Sequence, residues 1–543
     1  MKIAPTSIAL VLFLAGSPAW GTGEERVALA KACGLPDVTQ DRAVVESLLV
    51  ERAVRALRAR DFAAAEAAFA AAPETAVRYP IVESLMTHVI VNVKDLAIFE
   101  AWAKAHPKSA WARIAIAEGR LTKTSLQKSL ARTLGGKKTN RWKASRENLR
   151  VALRAAKADL EASLALEPKA FAYAKLITCS RTLREPEARA RELAAKSWRL
   201  APTHYLTHLE LFTYLMPLWN GGTPEKALEV ANAFYSAHPK SVSAVGLLAE
   251  AHIQLANMAS YPTKKERDAA IRAYFARSSV RDELVSAISA LLKEHPDRLS
   301  ANSIALSMAS MLGIGGRDLA YLNLRRAELG GEGAVDLGSR WAWDPKSSPE
   351  KREKGVRLLT ASAIRGNGRA NYALGEYFMK SGNVRLAPSE RARFSYGWCV
   401  QAANLRDPRG RAAYAEMVRA GVGTKADPKR GVELHAQFWK EDRNPTSAYY
   451  LALVHLNEGA KDPQRVALAL DLLEGAATTE DGLMGAGVKL LQVILYRKDL
   501  LDLPRARRML TFLGKKQIPN LDHLIKRYEE LVASRAGENG ADR

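Results

Sequence analysis

One helical pattern returns four times between Ala370 and Arg497, and this repetition constrains the fold more than any other feature. The equivalent positions Ala370, Gly410, Ala448 and Ala486 lie 40, 38 and 38 residues apart. Small, apolar or aromatic residues recur four and eight positions after each of them, and glycine stands eleven positions after two of them. Such residues at i, i+4 and i+8 describe one face of a helix, and a glycine in the left-handed conformation can end it.

A second helix follows the first in each repeat. Asp427-Pro428 and Asp462-Pro463 are each followed by an apolar run, and Leu503-Pro504 takes the corresponding place in the last repeat. A capping Asp before a Pro at the first helical position is a start signal for a helix. A pair of helices cannot bury its apolar face alone, so stacked neighbours must supply the core. The sequence therefore predicts an all-α fold, an α-solenoid of helical hairpins.

Two segments carry a resemblance to a known family. They are Ala370 to Phe378, which contains Ala-x-x-x-Leu-Gly-x-x-Phe, and Ala420 to Gly423 with the Asp427-Pro428 pair. The chain here resembles Sel-like repeats, which are relatives of tetratricopeptide repeats. The resemblance covers about a quarter of the chain. It implies a scaffold for protein–protein contacts and transfers no catalytic residue.

In the first half of the chain, prolines recur at intervals typical of tetratricopeptide repeats. Prolines after predicted helices are spaced by 61, 34, 37 and 57 residues. These are Pro107, Pro168, Pro202, Pro239 and Pro296. Intervals near 34 match the tetratricopeptide period, and the alanines twelve residues before three of these prolines suit close helix packing. The longer intervals predict insertions near 117–143 and 256–280.

A further resemblance covers roughly residues 80 to 260. Phe99 to Pro107, Trp111 to Arg120, Leu160 to Pro168 and Tyr214 to Gly222 resemble a bacterial family of tetratricopeptide-like domains of unknown function. We therefore predict a signal peptide at 1–21, a tetratricopeptide-like array at 22–312, a junction at 313–350 and Sel-like repeats at 351–515. A closing helix and a disordered tail fill 516–543.

The start of the chain predicts export. Lys2 precedes an apolar run from Ile8 to Ala15, and the small residues Ala19 and Gly21 permit cleavage after Gly21. We expect a periplasmic or secreted protein with no transmembrane helix in the mature chain. The three cysteines are too sparse for a disulfide framework, although an exported protein could pair two of them.

The charge balance favours anionic partners. The chain has 81 Lys and Arg against 58 Asp and Glu, a formal net charge of +23. The segment 123–157 is the most basic and places Lys137, Lys138 and Arg141 beside Trp142, a mixture that suits polyanion contact. A solvated loop whose tryptophan packs on a neighbouring helix explains the same residues. An anionic polymer or lipid surface is thus the alternative partner, and we do not expect nucleic acid.

Other residues suggest sites less directly. His204 and His208 have the i, i+4 spacing of zinc ligands, but the sequence places no third ligand, and a capped helix explains them equally. Trp219 precedes Gly221-Gly222, which suits either a groove or a turn. The tyrosines Tyr377, Tyr414 and Tyr449 are candidates for a binding face or for the core.

No sequence motif supports an enzyme, a cofactor or a metal site, so we predict none of them. The expected function is a non-catalytic protein-binding scaffold or adaptor of the bacterial cell envelope. Its partner is an unidentified protein or peptide, bound by side chains along the first helix of each repeat. Binding of a polyanion or membrane surface through residues 123–157 is the alternative.

Overall fold

A computed structural model describes most of the chain. Its residues are 22–39, 41–71, 95–135, 140–217, 222–257, 263–331, 333–380, 386–458, 462–479, 482–497, 500–516 and 521–541, together with Val89 and Val93. Side chains at 42–43, 123–135, 140–146, 458 and 535–541 are not described. The predicted signal peptide lies outside the described residues, as do Lys137, Lys138 and Trp219.

The chain forms two compact units. The N-terminal unit is Thr39–Leu337, and the C-terminal unit combines the residues up to Val38 with Gly338–Arg543. The helices of the N-terminal unit are α2 (Arg42–Arg58), α3 (Phe62–Ala70), α4 (Leu96–Ala105), α5 (Ala110–Gly135), α6 (Asn140–Leu166), α7 (Ala170–Leu183), α8 (Glu187–Leu200), α9 (Tyr205–Leu215), α10 (Pro224–Ala237), α11 (Val242–Ala256), α12 (Lys264–Phe275), α13 (Ser278–Glu294), α14 (Leu299–Met311) and α15 (Gly316–Glu328).

The C-terminal unit begins with a helix that is distant in sequence from the others. Its helices are α1 (Gly23–Ala32), α17 (Pro349–Ile364), α18 (Gly368–Lys380), α19 (Pro388–Asn404), α20 (Pro408–Ala420), α21 (Pro428–Asp442), α22 (Pro445–Glu458), α23 (Pro463–Thr478), α24 (Met484–Tyr496), α25 (Leu503–Lys515) and α26 (Asp522–Ala541). The remaining helix, α16 (Ala334–Trp343), contains the boundary at Leu337. The last helix extends to Ala541, into the stretch predicted to be a disordered tail.

Helical hairpins build the N-terminal unit. Each of α5, α7, α9 and α14 packs against the helix that follows it. The first helices also pack on one another in the order α7, α9, α11 and α14. Small residues make this close approach possible, since Ala156, Ala190 and Ala227 are fully buried where second helices meet the core. These are the alanines twelve residues before the spaced prolines.

The C-terminal unit repeats the hairpin with the predicted period. Neighbouring helices from α17 to α26 pack against one another in chain order, and α18, α20 and α22 also touch as successive first helices. The four positions Ala370, Gly410, Ala448 and Ala486 are all buried. Asp427 and Asp462 accept hydrogen bonds from the first turns of α21 and α23, as the Asp-Pro start signal requires.

Helix α1 packs against α17 and α19 in the C-terminal unit. The Arg26 guanidinium is 1% exposed, and its Nε donates to the carbonyl oxygen of Ile364 at 3.1 Å. A cation at a helix C-terminus satisfies a carbonyl that has no partner within the helix. Leu29 packs on Gly397, where an added Cβ would lie 3.2 Å from its Cδ1. Residues 22–38, predicted to open the N-terminal array, therefore pack in the other unit.

The prediction of an all-α solenoid is confirmed. All regular elements in the described part of the chain are helices, and they stack as paired neighbours around continuous apolar cores. None of the helices in these described ranges is both long and apolar enough to cross a membrane.

Candidate functional site

The first helices at the centre of the N-terminal unit have few fully exposed side chains. Every described side chain on α7 and α9 is buried or half-buried. The apolar ones enter the core, so the half-buried polar ones form a separate face. We call this face the polar row and define it by its members, which come from three successive first helices. They are Glu118 of α5, Lys175, Thr178 and Arg181 of α7, and Glu210 and Thr213 of α9.

Two ion pairs join the three helices of the polar row. Lys175 Nζ lies 3.1 Å from Glu118 Oε2, and Arg181 Nη1 lies 2.9 Å from Glu210 Oε2. The side chains of all four residues are only 12 to 18% exposed. Charges at this depth are incompletely solvated, so each pair is held in one geometry more firmly than an exposed pair would be. The polar row is therefore rigid and carries both signs of charge.

The polar row retains hydrogen-bonding capacity. Glu118 Oε1 is buried and has no hydrogen-bond partner within the described residues. The hydroxyls of Thr178 and Thr213 donate to carbonyl oxygens of their own helices, at 3.4 and 2.7 Å from Ala174 and Leu209. A hydroxyl that donates in this way still has lone pairs free to accept. Main-chain N–H groups of a bound segment could use the two hydroxyl acceptors.

The turn between α7 and α8 is fixed beside the polar row. The Glu185 carboxylate accepts hydrogen bonds from Lys157 and from Ser180, and the Tyr214 hydroxyl donates to the Glu185 carbonyl oxygen. Burial alone would raise the pKa of Glu185, but the hydrogen bonds from Lys157 and Ser180 lower it overall. These contacts tie α6, α7 and α9 together at one end of the row.

A buried histidine lies on a second helix of the C-terminal unit. His435 of α21 is fully buried, and neither ring nitrogen has a hydrogen-bond partner within the described chain. Its Nε2 lies 3.7 Å from Glu416 Oε2, and its ring stacks on Tyr450 at 5.3 Å between centroids. Burial lowers the pKa of His435 to about 4, although the Glu416 carboxylate opposes this shift. The imidazole is therefore neutral at neutral pH.

The histidine pair with zinc-like spacing has local partners. His204 Nδ1 lies 2.6 Å from the Thr207 hydroxyl at the start of α9, and His208 Nε2 lies 3.0 Å from the carbonyl oxygen of Pro202. The His208 ring stacks between Trp198 and Phe234, at 4.8 and 3.6 Å between centroids. Within the described ranges no group of three or more His, Cys, Asp or Glu side chains could hold a metal ion.

Two of the buried histidines, His208 and His435, predict a loss of stability in acid. Burial lowers the pKa of His208 to about 4, as it does for His435, from an ordinary value of 6.5. The unfolded chain therefore binds these two protons near pH 6.5, whereas the folded chain binds them only near pH 4. Their contribution is complete above pH 6.5 and declines as the pH falls towards 4.

We expect His208→Phe or His435→Phe to lessen the difference in free energy of unfolding between pH 7 and pH 4.5 by about 2 kcal/mol each. Urea unfolding at the two pH values measures this. His523→Gln, on an exposed helical face, is the control. Equal pH dependence in all variants would contradict the prediction.

The predicted aromatic candidates lie in contacts within the C-terminal unit. Tyr377, Tyr414 and Tyr449 are half-buried, and each packs edge-on or tilted against another aromatic ring. Arg141 and Trp142 lie in α6, where their side chains are not described. As a binding surface, all of these residues remain a prediction, together with Lys137, Lys138 and Trp219 outside the described chain.

The polar row was not found from the sequence. Glu118 precedes Lys175 by 57 residues, and Arg181 precedes Glu210 by 29, so no local spacing relates the paired charges. The signal that could have shown it is the succession of Lys175, Thr178 and Arg181 at intervals of three on a helix that is otherwise mainly apolar. The three cysteines are free thiols.

No protein-family model matches the chain, and no curated protein matches it. Among solved structures it is similar to a protective antigen present in uropathogenic Escherichia coli strains that displays an SLR fold. That pair is 15% identical, with a TM-score of 0.35, over 80% of this chain and 93% of the antigen.

Two further solved structures match the chain with similar sequence identity and lower TM-scores. Yeast Tom70 is 13% identical, with a TM-score of 0.23, over 89% of this chain and 98% of its own. A circular tandem repeat protein with novel repeat topology is 14% identical, with a TM-score of 0.14, over 92% and 98%.

The described helices themselves define the class. Paired helices that stack on their neighbours with a period near 38 residues make this a helical-hairpin repeat protein, the class that contains Sel-like and tetratricopeptide repeats. The prediction of a Sel-like and tetratricopeptide-like architecture is confirmed at this level.

Proposed function

We propose that the protein is a non-catalytic scaffold of the bacterial cell envelope that binds an extended segment of a partner protein along the polar row. The observation that carries this proposal is the row itself: two half-buried ion pairs that join the first helices α5, α7 and α9. First helices of such repeats supply the extended surfaces that these proteins use for binding.

The chemistry of the row suits a peptide ligand. Its charged groups are held in place before binding, so ordering them costs little further entropy. The two threonine hydroxyls offer acceptors to main-chain N–H groups, while Lys175 and Arg181 favour an acidic or carbonyl-rich neighbour. The partner segment that fits best is therefore extended and carries carboxylates.

The envelope location is supported by the sequence alone. The apolar run from Ile8 to Ala15 and the small residues before Thr22 have the layout of a secretory signal peptide. Detection of the protein in the periplasmic or secreted fraction tests this part, separately from partner binding.

A site-directed crosslinking experiment tests the binding proposal. We expect a compact diazirine amino acid at Thr178 to give a reproducible crosslink to one partner in intact cells. The same group at Lys196, an exposed position on the second helix of that hairpin, should not. The charge reversal Arg181→Glu should reduce the Thr178 crosslink at least tenfold if the row recognises an acidic segment, because it replaces attraction by repulsion.

Helical content and unfolding midpoint of each variant must first match those of the parent chain. Equal crosslinks from Thr178 and Lys196, or a crosslink indifferent to Arg181→Glu, would remove the polar row as the binding site. The alternative function, binding of a polyanion, is favoured by the net charge of +23 and is tested by a separate set of substitutions. Reversal of Lys137, Lys138 and Arg141 to Glu should leave the crosslink intact, and loss of retention on an anionic matrix would support the alternative.

A further inference from the structure

The first turn of α1 has two reciprocal hydrogen bonds. The backbone N–H of Thr22 donates to Glu25 Oε2 at 2.8 Å, and the backbone N–H of Glu25 donates to the Thr22 hydroxyl at 3.1 Å. Thr22 is the N-cap of the helix, and both side chains are half-buried. Glu25 thus aims its carboxylate at the main-chain nitrogen of Thr22.

The C-terminal unit holds both the helix that begins with this turn and the segment after it. Arg26 caps the end of α17 through Ile364, Leu29 packs on Gly397, and Arg357 Nη1 donates to the Asp37 carbonyl oxygen at 3.1 Å. Arg26, which is almost completely buried, follows Thr22 by only four residues. Anything that strengthens the first turn therefore strengthens the attachment of α1.

The peptide bond before Thr22 is the one that the sequence marks for cleavage. Ala19 and Gly21 are the small residues that a leader peptidase requires at the third and first positions before the cut. This pattern and the hydrogen bonds of the first turn are independent observations, and both point to the same nitrogen atom.

We propose that hydrolysis of the Gly21–Thr22 bond completes the attachment of α1, because the new α-ammonium group of Thr22 forms an ion pair with the Glu25 carboxylate. A leader peptidase with one water molecule breaks the C–N bond. The Gly21 carbonyl carbon gains the hydroxyl oxygen and leaves as a carboxylate, and the Thr22 nitrogen gains the protons and becomes –NH3+. A charged donor then replaces an amide donor at the same carboxylate.

This step goes beyond the binding proposal and does not depend on a partner. In this proposal, removal of the leader strengthens the attachment of α1 and so helps to hold the C-terminal unit together.

The first test locates the end of the chain. We expect mass spectrometry of the protein from the envelope fraction to show an N-terminal peptide that begins at Thr22. Gly21→Arg, which removes a small residue that cleavage requires, should retain the leader. A retained leader in the parent chain, or a start at another residue, would overturn the proposal.

The second test separates the ion pair from cleavage as such. We compare a chain that starts at Thr22 with one that carries Gly-Ser-Gly before Thr22 and so keeps an amide there. Cys33, which directly follows α1, reports detachment through its rate of alkylation by iodoacetamide, and buried Cys399 of the same unit reports unfolding of that unit as a whole.

We expect the extension to raise the Cys33 rate roughly two- to fivefold, the range for an ion pair near the surface, with the Cys399 rate unchanged. Glu25→Gln should raise the rate similarly in the chain that starts at Thr22 and should abolish the effect of the extension. If the extension has no effect in the parent chain, or the same effect in Glu25→Gln, the ion pair is excluded even where Thr22 proves to be the first residue.

Discussion

Replacing Gly423 by alanine should destabilise the C-terminal unit by about 3 kcal/mol or more. Gly423 has a φ of +72° in the turn after α20, which residues with a side chain adopt only at a cost. An added Cβ would lie 2.2 Å from the carbonyl oxygen of Ala392 in α19, a backbone atom that cannot move aside. Urea unfolding followed by circular dichroism measures the loss.

Two other glycines of the C-terminal unit separate the two causes. Gly34 has a φ of +65° but open space around a Cβ, so Gly34→Ala should cost only about 1 kcal/mol. Gly485 lies in α24 with open space and no positive φ, so Gly485→Ala should be neutral or stabilise by up to about 1 kcal/mol. If Gly423→Ala cost no more than Gly34→Ala, the close approach to α19 would not exist.

Trp102→Ala should destabilise the N-terminal unit by about 4 kcal/mol. The Trp102 side chain is fully buried in α4 and packs on Phe69 at 5.5 Å between ring centroids. Its indole N–H donates to Glu66 Oε1 at 2.9 Å, so truncation also leaves a half-buried carboxylate without this donor. Chemical unfolding monitored by circular dichroism gives the change.

A matched control for Trp102 is Tyr321 of α15, an aromatic side chain that is 61% exposed. Tyr321→Ala should change the free energy of unfolding by less than about 0.5 kcal/mol. Trp102→Phe, which keeps the ring contact with Phe69 and removes the hydrogen bond to Glu66, should fall between the two. A small effect of Trp102→Ala would mean that α4 is not part of the core.

The repeat could be read from the sequence because its signals are local. Small residues at Ala370, Gly410 and Ala448 recur with the hairpin period, since close helix packing tolerates no large side chain there. Aspartate before proline starts α21 and α23 because the side chain caps the first turn wherever the helix lies. Periodicity and capping depend on neighbours within a few residues, so a sequence displays them.

The candidate sites depended on distant contacts and could not be predicted. The ion pairs of the polar row form only because α5, α7 and α9 lie side by side. The position of α1 likewise depends on a groove made by helices more than three hundred residues later, and the hydrogen bond from Arg26 to Ile364 spans 338 residues. Sequence reasoning instead favoured tyrosines such as Tyr414, whose rings meet other rings within the C-terminal unit.

The long span between Arg26 and Ile364 sets an order of events during synthesis. A ribosome adds roughly 5 to 20 residues per second, so roughly 20 to 70 s pass between the emergence of α1 and the emergence of the helix end that it caps. Throughout that interval the Ile364 end of α17 is not available to α1, and the N-terminal unit is completed at Leu337 before Ile364 is made. The earliest helix in the described part of the chain is thus among the last to reach its place.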